Sequence, residues 1–288
     1  VDEALRGGHG IFLRVANFVA RVARTLAQAK RSRVEYAMSR QQLIARGRKV
    51  RSGLGIASVG TRQAMPGFND LMDEVVFATI WDRPHLDRRQ RMICTLAALC
   101  PSPYLPQLPG MVRSALDAGL EARGILEVFL QAGLYCGFVK AEAASAVVQE
   151  VFAERGIELP EQDEDAPSLE ELDARGHAVM SELHGARSTQ GYASADNPVT
   201  SALYPAAIRY GYGELWNRPG LVRHERMLVS VAAFTALGLT GQLSKFAQSA
   251  LNTGLTKEQV IEAVVQTAPY IGFPPALNGL AVLSEVLG

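Results

Sequence analysis

The chain has 288 residues, with 29 Lys and Arg against 29 Asp and Glu, so its formal net charge is zero. This balance gives no overall electrostatic attraction to nucleic acid, and we expect no nucleic-acid partner. A composition of 48% hydrophobic and 20% charged residues excludes an intrinsically disordered chain and predicts a folded core.

Residues 1–38 precede the part of the chain that repeats, and they predict an amphipathic helical extension. Apolar residues share one helical face, at Phe12, Val15, Phe18, Val19, Val22 and Leu26. Basic residues supply the opposite face. Such a helix binds a membrane surface or nucleic acid, or packs on the body or on a neighbouring subunit. The second interpretation is favoured, because the rest of the chain has no matching basic excess.

No uncharged apolar run reaches about 18 residues, so the sequence predicts no membrane span. The start at Val1–Glu3 is acidic and lacks the layout of a signal peptide. With only three cysteines, we expect a reducing environment and a cytoplasmic protein.

The chain repeats itself at a constant offset of 135 residues, at which Trp216 corresponds to Trp81. The segment WDRPHL at 81–86 returns as WNRPGL at 216–221, and from 81 to 144 about one position in three is identical at this offset. Such agreement without a gap indicates duplication. We divide the chain into a first unit (39–155), an acidic linker (156–167) and a second unit (168–288). The second unit carries a short insertion near 185–200.

Both units are predicted to be helical. Ser168 and Thr256 are candidate N-caps, because Glu171 and Gln259 follow three residues later. The segment from 226 to 237 is apolar on nearly every side, as in a buried helix. Helices are expected to stop at four glycines, Gly119, Gly137, Gly254 and Gly272. Alternation with period two is nearly absent, so we predict no sheet and five or six helices in each unit.

Two spaced segments of the second unit, ELWNRPGL at 214–221 and ALNTGLT at 250–256, carry a family resemblance. They resemble the carboxymuconolactone decarboxylase family, within the alkylhydroperoxidase-like superfamily. Further matching positions are Glu262, Gln266, Tyr270 and Gly272, and in the first unit 81–86 and 115–120. The resemblance implies an all-α fold of two alkylhydroperoxidase-like helical bundles in tandem. It also implies assembly into a homo-oligomer, for which we favour a trimer, with no cofactor and a small-molecule substrate.

The motif that carries the proton-transfer residues of the family is altered in both units. The resemblance implies a segment Glu-Leu-x-x-His shortly before the Asn-x-Gly-Leu block. Here Gln107 and Gln242 replace the acid, while Met111 and Phe246 replace the histidine. Neither Met nor Phe can transfer a proton. If the chain is an enzyme, other residues must supply its acid or base.

Peroxidase and metal chemistry are poorly supported by the sequence. The peroxidase branch of the superfamily uses a Cys-x-x-Cys pair, whereas Cys94 and Cys100 are six apart and Cys136 lies elsewhere, so we expect three buried structural thiols. His177 and His184 are two helical turns apart, too far to chelate one metal simply. We therefore predict no metal site.

The second unit is richer in ionisable and aromatic residues just before its Arg-Pro-Gly-Leu segment. The candidate catalytic residues are Glu214, Glu225 and His224, and the candidate substrate-binding residues are Tyr212, Trp216, Tyr270 and Gln266. A desolvated Glu214 in an aromatic pocket would be a general acid or base, but it could instead pair with Arg218 or Arg223. Glu225 could simply complement the dipole of its helix. Gln266 and Tyr270 could make structural hydrogen bonds.

These observations favour a divergent enzyme that acts on a small cyclic or carbonyl-containing acid by proton transfer. The reaction would be a decarboxylation or a related isomerisation, lactone opening or cyclisation. The alternative is a non-catalytic binding or scaffold protein that has kept the fold and the assembly.

Overall fold

The computed structural model describes residues 38–56, 65–101, 107–159, 167–191, 194 and 197–288. The predicted helix over 12–26 and residues 160–166 of the predicted linker lie outside these ranges.

The first unit contains six helices in the described part of the chain. Their bounds are α1 (Arg40–Gly53), α2 (Phe68–Leu71, continued by a π-helix over Met72–Trp81), α3 (Arg88–Leu99), α4 (Leu108–Asp117), α5 (Ala122–Cys136) and α6 (Phe138–Glu154).

The second unit repeats this order. Its helices are α7 (Leu169–His184), α8 (Tyr204–Ala206, continued by a π-helix over Ala207–Glu214), α9 (Arg223–Ala236), α10 (Thr240–Asn252), α11 (Lys257–Ile271) and α12 (Phe273–Leu287). Short 3-10 helices at Gly185–Thr189 and Thr200–Ala202 lie between α7 and α8 in the region of the insertion. The π-helices begin at Met72 and Ala207, which occupy equivalent places at the repeat offset.

The predicted helix boundaries are confirmed. The side chains of Ser168 and Thr256 each accept a hydrogen bond from the third helical N–H. The side-chain oxygens of Glu171 and Gln259 accept one from the backbone N–H of Ser168 and Thr256, which completes two capping boxes. The chain leaves α5 and α11 at Gly137 and Gly272, whose φ angles of 98° and 92° suit glycine. No strand occurs in the described ranges, so the all-α prediction holds there.

A glycine sets the close approach of the first two helices in each unit. A Cβ at Gly47 of α1 would collide with the backbone carbonyl of Asp73 in α2. A Cβ at Gly176 of α7 would collide with the carbonyl of Ile208 in α8 in the same way. Asp73 and Ile208 are also equivalent at the repeat offset, so the two units keep the same helix packing.

The two units share one hydrophobic core. Helices α3 and α9 pack against each other at its centre, α11 of the second unit packs on α3, and α5 of the first unit packs on α9. Each unit therefore contributes one helix that packs against the central helix of the other unit. A site in one unit can for this reason include side chains from the other unit.

A buried charge cluster occurs twice at this junction, once from each side. Glu262 accepts hydrogen bonds from Arg83 (2.7 Å) and Arg91 (3.1 Å), both of the first unit. On the other side Glu127 accepts from Arg218 (2.9 Å) and Arg226 (3.0 Å) of the second unit.

Each cluster also contains a glutamine, because Arg91 donates to Gln266 (2.7 Å) and Arg226 donates to Gln131 (3.1 Å). Burial lowers the pKa of both Arg91 and Arg226. The partnered carboxylates compensate these buried charges.

No helix in the described part of the chain is both long enough and apolar enough to cross a membrane.

Candidate functional site

A cavity of about 510 Å³ opens between α7, α8 and α10 of the second unit. We call it the unit-two cavity. Its aromatic wall consists of Tyr135, Tyr204, Tyr212, Trp216, Phe234 and Phe246. All its described lining residues come from the second unit except Leu134 and Tyr135, which the first unit contributes from α5. The volume is within the usual range for a small-molecule site.

His184, the last residue of α7, is the central polar group on this wall. Its Nε2 lies 3.0 Å from the Tyr212 hydroxyl, and its Nδ1 lies 2.7 Å from Ser249 Oγ on α10. Arg187 donates to the same Ser249 Oγ (3.0 Å) and to the carbonyl oxygen of Lys245 (2.9 Å). A continuous hydrogen-bonded chain therefore runs from Arg187 through Ser249 and His184 to Tyr212.

The surroundings of this hydrogen-bonded chain fix the protonation of His184 and Tyr212 near neutral pH. Burial lowers the pKa of His184 to about 4, and the charge of Arg187 acts in the same direction. Burial raises the pKa of Tyr212 well above its usual value, with smaller contributions from Tyr135 and Tyr204. His184 is therefore a neutral imidazole and Tyr212 a neutral phenol.

Aromatic contacts hold these groups in place. The ring of His184 meets Phe246 edge-on with centroids 5.0 Å apart, and Phe246 meets Phe234 at 4.9 Å. Tyr212 stacks on Trp216 at 6.2 Å with an angle of 18° between the planes. Both residues lie where the π-helix of α8 gives way to a 3-10 turn, and π-helical segments are frequent at functional sites.

The positive side of the cavity comes from Arg187 and Lys245. Arg187 belongs to the 3-10 helix Gly185–Thr189, in the region where the second unit is longer than the first. Together the two cations suit the recognition of a carboxylate.

The profile of the carboxymuconolactone decarboxylase family matches residues 66–150 and again residues 201–285. The chain belongs to the carboxymuconolactone decarboxylase family. The tandem arrangement predicted from the repeat offset is confirmed.

Curated relatives include decarboxylases of two different acids. A 4-carboxymuconolactone decarboxylase of Acinetobacter baylyi is 36% identical over 108 residues, which are 38% of this chain and 78% of that protein. A nitrosuccinic acid decarboxylase of Metarhizium robertsii is 24% identical over 112 residues, which are 39% of this chain and 78% of that protein. Each relative is similar to a segment about one unit long.

A solved structure from Burkholderia xenovorans LB400 resembles nearly the whole chain. It is described as a candidate gamma-carboxymuconolactone decarboxylase subunit, and the match has a TM-score of 0.51 at 19% identity. It covers 87% of this chain and 98% of the other. At this identity the match supports the fold alone.

The altered family motif of the second unit lies on the cavity wall, since Gln242, Lys245 and Phe246 all line it. Phe246 stands where the family resemblance implies a histidine, and His184 from α7 lies against its ring. An imidazole is therefore present beside the expected place, but it comes from another helix. The sequence indicates only an unsuitable metal-ligand spacing for His184 and does not predict its place in the site.

Of the predicted site residues, the structure brings Tyr212 and Trp216 to the cavity. Glu214, His224 and Glu225 do not line it. The Glu214 side chain is 35% exposed, and its carboxylate lies 3.4 Å from the guanidinium of Arg218. This ion pair is one of the two that the sequence left open for Glu214.

Glu225 is occupied by structural contacts. It accepts from Arg89 of the first unit (2.7 Å) and from the backbone N–H of Val222 at the start of its own helix (3.1 Å). His224 is half-buried on the same first turn of α9. These contacts favour a role for Glu225 in joining the units and capping α9.

Tyr270 and Gln266 lie at the junction with the first unit, not at the unit-two cavity. The Tyr270 hydroxyl accepts from Trp81 Nε1 (2.9 Å), and Gln266 bonds Arg91 and Thr95. Tyr135, the counterpart of Tyr270 in the first unit, lines the unit-two cavity instead, because α5 and α11 each pack against the opposite unit. Both tyrosines and both glutamines are present in the sequence, but residue identity alone could not show that each pair packs against the opposite unit.

Within the described ranges, no three His, Cys, Asp or Glu side chains are grouped to hold a metal ion.

Proposed function

We propose that the chain is a decarboxylase of a cyclic or carbonyl-containing carboxylic acid, with its active site in the unit-two cavity. The observation that carries the proposal is the hydrogen-bonded chain that ends at Tyr212, on the wall of an aromatic cavity with two cations. The names of two relatives, both decarboxylases of organic acids, support the reaction class.

Arg187 and Lys245 are proposed to bind the acid and to stabilise the negative charge that develops on its carbonyl oxygen. As the bond to the carboxylate breaks, its electron pair passes into the conjugated carbonyl group and carbon dioxide leaves. Preorganised donors in a site of low polarity stabilise such a charge more strongly than water does.

Tyr212 is proposed to return a proton to the carbon that carried the carboxylate. In the tautomer with the proton of His184 on Nε2, the donors follow one direction along the hydrogen-bonded chain. Ser249 O–H donates to Nδ1, and Nε2–H donates to the Tyr212 oxygen. The Tyr212 O–H is then free to point to the substrate. The imidazole N–H then stabilises the phenolate until water restores its proton. This arrangement replaces the acid and histidine that the family motif has lost.

The cavity volume and its walls indicate the shape of the substrate. About 510 Å³ admits a molecule of drug-like size, and six aromatic side chains provide flat apolar surfaces. We therefore expect an unsaturated or aromatic acid with few polar groups besides its carboxylate and carbonyl.

The test is a panel of such acids incubated with the purified protein and with Tyr212→Phe. We expect carbon dioxide release and a product lighter by one carboxyl group from at least one acid, and a loss of about 100-fold or more in Tyr212→Phe. Absence of turnover with every acid of the panel would refute a decarboxylase of this substrate class.

Binding without turnover would favour the alternative, a binding protein. The replacement of the motif's acid and histidine by Gln242 and Phe246 is the observation behind that alternative. In that case Tyr212→Phe should change the affinity for the bound acid, and neither protein should release carbon dioxide.

We further propose a homo-oligomer, with a trimer favoured. Large apolar side chains are exposed at the beginning of α6 and of α12, among them Phe138 (55%), Phe273 (53%) and Leu277 (59%). Light scattering that gives a monomer at micromolar concentration would refute it.

A further inference from the structure

Another cavity, of about 530 Å³, opens in the first unit between α1 and the beginning of α3. We call it the unit-one cavity. Its apolar floor consists of Val50, Leu54, Trp81 and Leu86. The charged side chains that line it are Arg46, Lys49, Asp82, Arg88 and Arg91. None of these residues lines the unit-two cavity, so the two cavities are separate.

The unit-one cavity contains two cations without an ion-pair partner. Arg46 is paired with Asp82, and the buried Arg91 bonds Glu262 at the junction. Its other cations, Lys49 and Arg88, are exposed and have no carboxylate partner in the described part of the chain.

The second unit neutralises the arginine at the equivalent place. Arg223, the counterpart of Arg88, forms an ion pair with Glu182 of α7 at 3.3 Å. In the first unit Gly53 stands where α7 has Glu182, and Arg88 donates to the carbonyl oxygen of Gly53 instead (3.0 Å). The first unit therefore lacks the acid that occupies this arginine in the second.

The same alignment of α1 on α7 adds a cation to the first unit. It pairs Gly47 with Gly176, the two glycines that make the same close helix contact. It also sets Lys49 in the place of Ala178. Both differences between the units, one acid fewer and one cation more, make the unit-one cavity positive.

We propose that the unit-one cavity binds a small organic dianion of the phosphate monoester class. Such a phosphate carries a charge of about −1.5 to −2 near pH 7, which matches the two unpaired cations. The Arg88 guanidinium can bind two phosphate oxygens side by side, and Lys49 supplies a point charge. The floor around Trp81 accommodates the organic part of the ligand, and the volume suits a small molecule. This site is independent of the proposed decarboxylation.

The two tryptophans of the chain allow the two cavities to be measured separately, because Trp81 lines one and Trp216 lines the other. In Trp216→Phe all tryptophan fluorescence comes from Trp81. We expect phenyl phosphate to change this fluorescence until it saturates. Benzoate, which carries one charge on the same ring, should bind about 10-fold more weakly. Calorimetric titration of the chain with both tryptophans present checks the affinity without that substitution.

The matched variants are at Gly53, where a Cβ would meet no described atom closer than Arg88 Nη2 at 3.7 Å. Gly53→Glu introduces the acid of the second unit and should weaken phenyl phosphate binding by about 10-fold or more, because it pairs with Arg88 and repels the dianion. Gly53→Gln has the same length without the charge and should bind nearly like the unchanged protein. Circular dichroism checks that both variants are folded.

Two further variants separate the cavities. Lys49→Ala introduces the residue of the second unit and should weaken binding by a smaller factor, about 3-fold, because its charge is exposed and screened. Arg187→Met alters only the unit-two cavity and should leave the affinity for phenyl phosphate at Trp81 unchanged.

Three results would overturn the proposal. In the first, millimolar phenyl phosphate gives neither a saturable change in Trp81 fluorescence nor a calorimetric signal. In the second, Gly53→Glu and Gly53→Gln bind equally well. In the third, binding is lost in Arg187→Met, which would place the anion in the unit-two cavity. None of these readouts depends on carbon dioxide release, so a failure of the proposed decarboxylation would leave them unchanged.

Discussion

The two units differ least where they hold each other together and most where the second unit forms its cavity. Arg83, Arg91 and Glu262 on one side of the junction match Arg218, Arg226 and Glu127 on the other, with the same partners at similar distances.

Around the cavity the correspondence breaks down. The places of Tyr212, Phe234, Lys245 and Phe246 are taken in the first unit by Phe77, Leu99, Gly110 and Met111. Phe77 lacks the hydroxyl that bonds His184, and Gly110 lacks the charge of Lys245. The duplication thus kept the side chains that bury charge between the units and changed several of those that line the cavity, whereas Trp216 and Gln242 there match Trp81 and Gln107.

The first prediction tests the two buried charge clusters that both units share. Glu127→Gln and Glu262→Gln should each lower the free energy of unfolding by about 3 kcal/mol, because each leaves buried arginines without a compensating charge. Urea unfolding monitored by circular dichroism measures both. Similar losses would support two equivalent clusters, whereas a large loss in only one variant would show that the clusters are not equivalent.

The second prediction concerns the cations of the cavity. Arg187→Met should weaken the binding of an aromatic carboxylate by about 10- to 100-fold, since a hydrogen bond to a charged group contributes about 1.5–3 kcal/mol. Calorimetric titration measures the affinity. Arg113→Met removes the same charge from an exposed pair with Glu154, off the cavity lining, and should bind like the unchanged protein.

The third prediction follows from the depressed pKa of His184. The unfolded chain takes up a proton near pH 6.5, whereas the folded chain does so only near pH 4. The contribution of this group to stability is therefore complete above pH 6.5 and is lost as the pH falls toward 4. Urea midpoints across this window should fall less steeply in His184→Gln than in the unchanged protein, and identical slopes would refute the buried neutral imidazole.

The smallest effect is expected at Glu214. Glu214→Gln should change stability by at most about 1 kcal/mol, because its pair with Arg218 is partly exposed to solvent. It should leave carbon dioxide release unchanged, since Glu214 does not line the cavity. A loss of turnover without a loss of stability would restore Glu214 as a catalytic residue.

The sequence predicted the fold well because its signals are local or repeated. Ser168 with Glu171 and Thr256 with Gln259 act within one helical turn, and the repeat offset survives without a gap. Family membership followed from the same spaced segments.

The candidate site was predicted only in part. Tyr212 and Trp216 are four residues apart on one helix, so their proximity could be expected. His184, Arg187 and Ser249 meet only because α7 packs on α10, and no spacing along the chain indicates that contact. One usable signal was present, since the insertion of the second unit begins directly after His184.

The most direct test of the account compares Tyr212→Phe with Tyr270→Phe in the carbon dioxide assay. Each variant removes one buried hydroxyl, one bonded to His184 at the unit-two cavity and the other to Trp81 at the junction. Both should remain folded with similar small losses of stability. The account predicts that Tyr212→Phe loses about 100-fold or more in turnover while Tyr270→Phe keeps its rate. Equal rates in the two variants, or a loss confined to Tyr270→Phe, would contradict the placement of the reaction in the unit-two cavity.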